Sequence, residues 1–557
     1  MKTSHPPLVE LDREELLAII ERSSLSPEER AQLRAVVEAY ALVSHHIDGN
    51  RMTVARLRKM LFGARTEKTS TLQTASGSQP SSAHGGPAAG TGAAAADKPK
   101  RKGHGRNGAA RYRGAERVFV PHASLRPGDP CPECHDGRLY ELRAPAVHVR
   151  VRGQAPIAAT VYEHERLRCN PCGAVIEASA PPGVGEEKYD ETVPAMLIVL
   201  RFGNGAPHTR LDRLQSSVGV PLPASTQWEI ISRAVNVALE VACAELIREA
   251  AQGELVHNDD TPAKILARMA ERRRRRAAAE GSTDQPKPDV EPGPPSSKRV
   301  GTFTTSIVSV SGGRRIALFF TGAQHAGENL KDLLAKRSCE LPAPIQMCDA
   351  LTANLPKELK TIVAHCLAHG RRQFVEVYDQ FPAQCLHVLD ALREVYHNDE
   401  IARERGMSAS ERLAWHQAQS GPVMDKLQRW LEAELAEKRV EPNSSLGEAI
   451  SYMLNHWHRL TQFLRVAGAP LDNNICERAL KKAILHRRNS LFYKTENGAH
   501  VGDVCMSLIH TAELCGANAF DYLVTLLRRA DEVRAAPSEW MPWNYADTRA
   551  RLEAIAA

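Results

Sequence analysis

Apolar residues near the start of the chain recur every seven positions. Leu33, Tyr40, Ile47, Val54 and Leu61 form one seam, and Val36, Val43, Asn50 and Leu57 fill a second seam three residues later. The spacing predicts a helix of about four heptads. Ser26-Pro27-Glu28-Glu29 supplies an N-cap, a proline at the first helical position and a capping-box glutamate. Gly49 weakens the helix, and Asn50 would select register at some cost in stability. Two readings follow: a coiled coil that joins copies of the chain, or an amphipathic helix packed on its own chain.

Periodicity then stops. Residues 70–97 are rich in Ser, Gly, Ala and Thr and read as disordered. The stretch turns basic at Lys98-Pro99-Lys100-Arg101-Lys102 and stays so through Arg113, which suits a phosphate tether or a solubilising linker. Alternation at 147–151 and 160–167 predicts strands. Residues 210–218 and 225–238 read as helices broken by Gly219-Val220-Pro221-Leu222-Pro223. That is the plan of a DNA-reading helix-turn-helix, and equally of a plain helical hairpin.

A strand opens at Leu255 and Val256 and ends near Asp259, ahead of Thr261-Pro262. Five consecutive arginines, Arg272 to Arg276, and a proline-rich stretch at 286–295 read as a mobile loop. Residues 302–310 and 315–321 predict a hairpin about Gly312-Gly313. A short apolar run ends at Asp349, and 359–465 is mainly helical. Helices at 501–515 and 519–530 close the pattern.

Composition sets looser bounds. A chain of 557 residues suggests three or four domains. A hydrophobic content of 43% and a charged content of 25% are ordinary for globular proteins. The net charge is only +6, so the basic clusters matter by location. The polar, acidic start carries no signal pattern, and no apolar run approaches a membrane span. A cytoplasmic protein of the bacterial nucleoid is expected, with twelve cysteines present as reduced thiols plus a metal site.

Two Cys-x-x-Cys knuckles, Cys131/Cys134 and Cys169/Cys172, lie 34 residues apart. Four thiolates supply a closed tetrahedral zinc site. A redox dithiol is the alternative, and two separate knuckles argue against it. Arg166 and Arg168 stand close by in the sequence to touch DNA.

The candidate chemistry is acidic. Asp259 and Asp349 sit at predicted strand ends, and Glu477 lies near the start of an otherwise basic helix with Arg478, Lys481, Lys482, Arg487 and Arg488. Two strand-end carboxylates and a third on a late helix can converge on a pair of divalent metals about 3.5–4 Å apart, the arrangement used for in-line phosphoryl displacement. Magnesium, or manganese, suits an all-oxygen site. His365, Cys366 and His369 are read as packed or DNA-facing rather than as a metal site.

His257-Asn258-Asp259-Asp260-Thr261-Pro262, Cys366-Leu367-Ala368-His369-Gly370-Arg371-Arg372-Gln373-Phe374, Leu471-Asp472-Asn473-Asn474 with Glu477-Arg478-Ala479, and Arg488-Asn489-Ser490-Leu491-Phe492 occur in that order. Together they resemble the insertion sequence 66 family of DDE transposases, over nearly the whole chain. The resemblance implies a multidomain α/β protein with a ribonuclease-H-like core and Asp259, Asp349 and Glu477 as its triad. The family often has Asp-Glu-Thr-Pro at the first site, which makes Asp260 a rival of Asp259. Strand alternation lets only one of the two reach the metals. An aromatic often follows the cysteine of the second block, where this chain has Leu367.

The expected organisation is a helical segment (1–69), a linker (70–115), a zinc ribbon (116–185) and a helical, helix-turn-helix-like block (186–250). The core (251–535), with a helical insertion at about 385–465, and a tail (536–557) follow. The expected activity is cleavage at element ends and transfer of the freed 3′ hydroxyl to target DNA. Lys481, Lys482, Arg487, Arg488, Arg371 and Arg372 are the expected DNA contacts. Expected partners are double-stranded DNA, further copies of the chain and small accessory proteins of the same element. A non-catalytic zinc-ribbon regulator and a metal-dependent nuclease are the competing classes.

Overall fold

The computed structural model describes residues 155–168, 175–279 (apart from 186) and 301–556 (apart from 357 and 358), with scattered residues between 20 and 34 and between 119 and 140. Apart from Leu33, which is helical and exposed, the heptad seams lie outside the described residues, as do the basic linker and the four knuckle cysteines. The chain divides into two compact units. One takes in Gly370–Met407 and Trp415–Leu454, and the other holds His84–His369, Ser408–Ala414 and Asn455–Ala557.

The larger unit is built on a five-stranded sheet. Its strands are β3 (Leu255–Pro262), β4 (Phe303–Ser311), β5 (Arg314–Gly322), β6 (Ile345–Cys348) and β7 (Ile362–His365), in the order β5-β4-β3-β6-β7. β5, β4 and β3 run antiparallel, while β6 and β7 run parallel to β3. Gly312 and Gly313 turn the β4–β5 hairpin with φ of 51° and 83°, a region that favours glycine. β3 continues through Asp259 and Asp260 to Pro262, so the predicted end at Asp259 falls short. The strand persists because β4 pairs with it over its whole length, Pro262↔Phe303 included. β6 pairs only with residues 255–257 and leaves the acidic half of β3 open on that side.

Helices α1 (Thr192–Ile198), α2 (His208–Ser217), α3 (Ala224–Ala234) and α4 (Glu240–Ala251) precede the sheet. α2 and α3 form the predicted hairpin. Pro223, not Ser225, sits at the N-cap of α3, and Gln227 ties the turn by donating to Leu222 O at 2.8 Å. α5 (Leu266–Ala279) carries the arginine run on a helix rather than a loop. Alanine and arginine are strong helix formers, and Glu271 pairs with Arg275 one turn on.

α6 (Ala326–Leu334) lies against β3 and β4. α7 (Leu367–Val377) follows β7. α8 (Pro382–Glu404), α9 (Ala409–Gln419), α10 (Gly421–Ala436) and α11 (Ser445–Leu460) occupy the stretch where a helical insertion is expected. In the smaller unit His416 is buried between Ser420 Oγ at 3.0 Å and Asp399 Oδ1 at 3.2 Å, a satisfied polar cluster within the α8–α10 packing.

α12 (Asn474–Ser490) packs on β3 and β4, and α13 (Glu496–Leu514) runs along β5. Asp503 accepts from Thr321 N, Ser507 Oγ accepts from Phe319 N, and Thr511 Oγ1 accepts from Ala317 N. Four residues of helix advance about 6 Å and two residues of strand about 6.6 Å, so the two repeats stay in step. The helix therefore covers the free edge of β5 with side-chain acceptors. α14 (Ala519–Arg528), α15 (Ala530–Ala535) and α16 (Tyr545–Ala556) complete the unit. Where a tail is expected, residues 536–556 fold instead, because Trp540, Met541 and Tyr545 are buried in the main core.

β1 (Arg166–Arg168) and β2 (Val175–Glu177) pair antiparallel, and Pro130 pairs with Arg138. The strand predicted at 160–167 is reduced to its last residues. Among the described residues no helix is long and apolar enough to cross a membrane.

Candidate active site

Asp259 lies in β3, and Asp349 directly follows β6, the parallel neighbour of β3. Glu477 stands in the first turn of α12. The three carboxylates converge. Burial pushes the Asp259 carboxyl up to about 7, and the charge of Asp349 adds to that rise, with smaller contributions from Asp260 and Glu477. The main-chain N–H of Asp260, donated to Asp259 Oδ1 at 2.8 Å, opposes the rise.

Alternation along β3 sorts the two adjacent aspartates. His257 and Asp259 share the face toward α12, while Asn258 and Asp260 share the other. Asp260 Oδ2 accepts from His325 Nδ1 at 2.9 Å and faces the start of α6. Asp259, not Asp260, therefore faces Asp349 and Glu477.

Buried amides hold these elements in register. Asn473, fully buried at the N-cap of α12, donates its Nδ2 to Asn258 O at 3.2 Å. Its Oδ1 lies 3.0 Å from His257 Nδ1. Because Oδ1 only accepts, the proton sits on Nδ1 of a neutral imidazole, and burial lowers the His257 pKa to about 4. Asp472 Oδ1 accepts from Asn474 N at 3.1 Å and turns the chain into α12. On the opposite face Asn258 donates to Asn354 O at 2.8 Å, Gln346 Nε2 donates to Asn258 Oδ1 at 2.9 Å, and Asn354 Nδ2 donates to Asp349. One hydrogen-bonded chain thus links the strand that carries Asp259 to the loop that carries Asp349.

Against this geometry stand the relatives. A family model described as "Transposase IS66 family" matches residues 187–290 and 295–501. The chain belongs to the IS66 transposase family. Three uncharacterized proteins of Sinorhizobium fredii are similar to it. y4jD is 27% identical over 512 residues, 89% of this chain and 94% of that protein. y4hP is 25% identical over 451 residues, 78% of this chain and 76% of its own length. y4qI is 31% identical over 191 residues, about a third of each. No solved structure matches. Membership carries a DNA-transposing enzyme as the general activity, and with it DNA as a partner.

The cations of this transposase divide into two sets. Lys482 Nζ bonds Glu513 at 2.7 Å, and Arg487 donates to Thr261 Oγ1 at 3.1 Å and to Pro262 O. Both are held by the fold. Lys481 and Arg488 are exposed on α12. Arg371 and Arg372 are half-buried and belong to the smaller unit. The Arg488-Asn489-Ser490-Leu491-Phe492 block ends α12. Leu491 turns the chain at φ 67°, so that Tyr493 N can donate to Lys264 O at 2.9 Å, beyond β3.

Reading the residues alone missed one grouping. Cys366, His369 and Glu477 bring their ligand atoms within 4.8 Å of one another. The Cys-x-x-His spacing was the available signal. Cys366 itself is a buried thiol pushed up to about 12 by burial, and it accepts the Asn473 N–H at 3.2 Å.

Proposed function

We propose that this transposase is a DDE enzyme with a ribonuclease-H-like core, in which Asp259, Asp349 and Glu477 hold magnesium or manganese. The observation that carries the reading is the convergence of three acids: burial pushes the Asp259 carboxyl up to about 7, and the charges of Asp349 and, to a smaller extent, Glu477 add to that rise. Three oxygen donors that repel one another fit hard divalent cations, which would relieve that repulsion. The strand order β5-β4-β3-β6-β7, with β3 central and β6 and β7 parallel to it, supports the fold assignment.

When bound, such cations supply charge neutralisation to an in-line displacement at phosphorus. The chain's own residues supply the rest. Asp259 stands on β3 and Asp349 just past the end of the adjacent β6, and Asn473 fixes the approach of Glu477. Lys481 and Arg488 neutralise phosphates along α12. Water attacks the phosphate at the element's end, the P–O3′ bond breaks, and a 3′ hydroxyl is freed. That hydroxyl then attacks a target phosphate and displaces the target's own 3′ oxygen, with no covalent protein–DNA link. Cys131, Cys134, Cys169 and Cys172 hold zinc in a ribbon whose flanks pair at Pro130↔Arg138 and β1–β2. The ribbon and the α2–α3 hairpin contact element ends, and the N-terminal heptads join copies of the chain.

The decisive experiment is strand cleavage and joining on end-bearing DNA by Asp259→Asn, Asp349→Asn, Glu477→Gln and Asp260→Asn. The first three should lose both steps while still folding and binding DNA, each nearly as severely as all three combined. Asp260→Asn should retain activity. Normal joining by Glu477→Gln would end the enzyme reading, and metal-dependent cleavage without joining by the unmodified protein would leave a nuclease.

A further inference from the structure

His369 is the part of the second sequence block that the proposed chemistry leaves unused. Its Nε2 lies 3.7 Å from Glu477 Oε1, and both side chains are about three-quarters buried, at 22% and 24% exposure. That separation is longer than a hydrogen bond and within one small side-chain adjustment of it. The Nδ1 atom is buried with no hydrogen-bond partner. Among the described residues, Glu477 is the one carboxylate within ion-pair range of the ring.

The backbones that carry the two side chains are tied to a single point. Cys366 N donates to Cys348 O at 2.9 Å, beside Asp349. Leu367 N donates to Leu471 O at 2.9 Å, and His369 N donates to Cys366 O at 3.2 Å. The thiol of Cys366 receives Asn473 N–H at 3.2 Å, and Glu477 N donates to Asn473 O at 3.1 Å. His369 therefore stands three residues from Cys366 along one helix start. Glu477 stands four residues from Asn473 along another. Two short, hydrogen-bonded arms leave the same thiol and bring imidazole and carboxylate face to face.

We propose that His369 is a positioning residue for Glu477, donating Nε2–H to Oε1 so that the other oxygen is presented to the divalent cation. The proposal rests on the reading of Glu477 as a metal ligand. Polar partners behind a metal-binding carboxylate fix its rotamer and tune its affinity, and their loss typically costs about 10–100-fold in metal affinity or activity. The rival is a separate three-ligand metal centre at Cys366, His369 and Glu477. It is disfavoured because the thiol is fully buried and already accepts a main-chain N–H.

The test compares full-length His369→Ala, His369→Asn and His369→Gln. Glutamine places an N–H near the position of Nε2, and asparagine is too short to do so. Manganese binding is read from the paramagnetic resonance signal of free Mn2+, without DNA, and the manganese needed for half-maximal end cleavage is measured in parallel. The Ala and Asn variants should bind manganese about 10–100-fold more weakly and need correspondingly more of it, with end-DNA binding unchanged. The Gln variant should recover most of the loss. If the Ala variant fails to fold, the Asn and Gln pair carries the comparison. Wild-type manganese affinity in the Asn variant would overturn the proposal. So would a tightly bound zinc, beyond the knuckle site, that both Cys366→Ser and His369→Ala remove. If Glu477→Gln abolishes cleavage while the His369 variants do nothing, the reading of Glu477 stands and the positioning role falls. If Glu477→Gln keeps full cleavage and manganese binding, both fall together.

Discussion

Asn473→Ala removes the side chain that joins the start of α12 to β3. The residue is fully buried, and its amide serves two partners that are themselves buried, Asn258 O at 3.2 Å and His257 Nδ1 at 3.0 Å. The truncation leaves one acceptor and one donor without that bond. Each orphaned group costs about 1–3 kcal/mol, so the larger unit should lose roughly 2–6 kcal/mol. At about 2–4 °C per kcal/mol, its melting temperature should fall by roughly 4–24 °C. The main-chain bond from Asn473 N to Cys366 Sγ is untouched, so α12 should still form, with Glu477 less firmly aimed. Thermal unfolding by circular dichroism measures the stability, and end cleavage at a temperature where the variant is folded measures the aim. His257→Ala and the double variant close a cycle whose coupling should be roughly 0.5–3 kcal/mol. A loss under about 1 kcal/mol with no coupling would refute the claim that this contact sets the approach of the two elements.

Two further outcomes are expected. Asp503, buried at the β5 edge, is pushed up to about 7 by burial, against an ordinary value of 3.8. The folded protein then binds more protons than the unfolded chain between these values, so stability falls as pH rises from about 4 to 7, by roughly 4 kcal/mol in total from this group. The difference in pH–stability profile between the wild type and Asp503→Asn should show that loss; parallel profiles would contradict it. For DNA, Lys481→Ala and Arg488→Ala should each lower the slope of log affinity against log salt by about 1 without changing the melting temperature. Lys482→Ala and Arg487→Ala should instead lower stability, because their partners are Glu513 and the end of β3.

What the sequence discloses here depends on the range of the interaction. The Gly312-Gly313 hairpin is readable because a tight turn is set by its own residues. Strand alternation, a local rule, tells that Asp259 and Asp260 point to opposite faces, but which of them faces Asp349 and Glu477 depends on where α12 and α6 pack against β3, and the strand alone leaves that open. The arginine run on α5 misleads because charge density suggests a solvated loop, whereas helix propensity and the Glu271–Arg275 pair favour a helix. The fold of residues 536–556 escapes for the opposite reason. Trp540 and Tyr545 find their burial against residues far away in the chain, and no local pattern states where an isolated aromatic goes. The same distinction separates the site residues. Acids near strand ends can be picked out one at a time, but the role of Asn473 exists only as a set of bonds to Asn258, His257 and Cys366, more than a hundred residues upstream. An asparagine in sequence is a generic helix start. It becomes the clasp of the site only where β3, the Cys366 turn and α12 meet, and that meeting also sets His369 opposite Glu477.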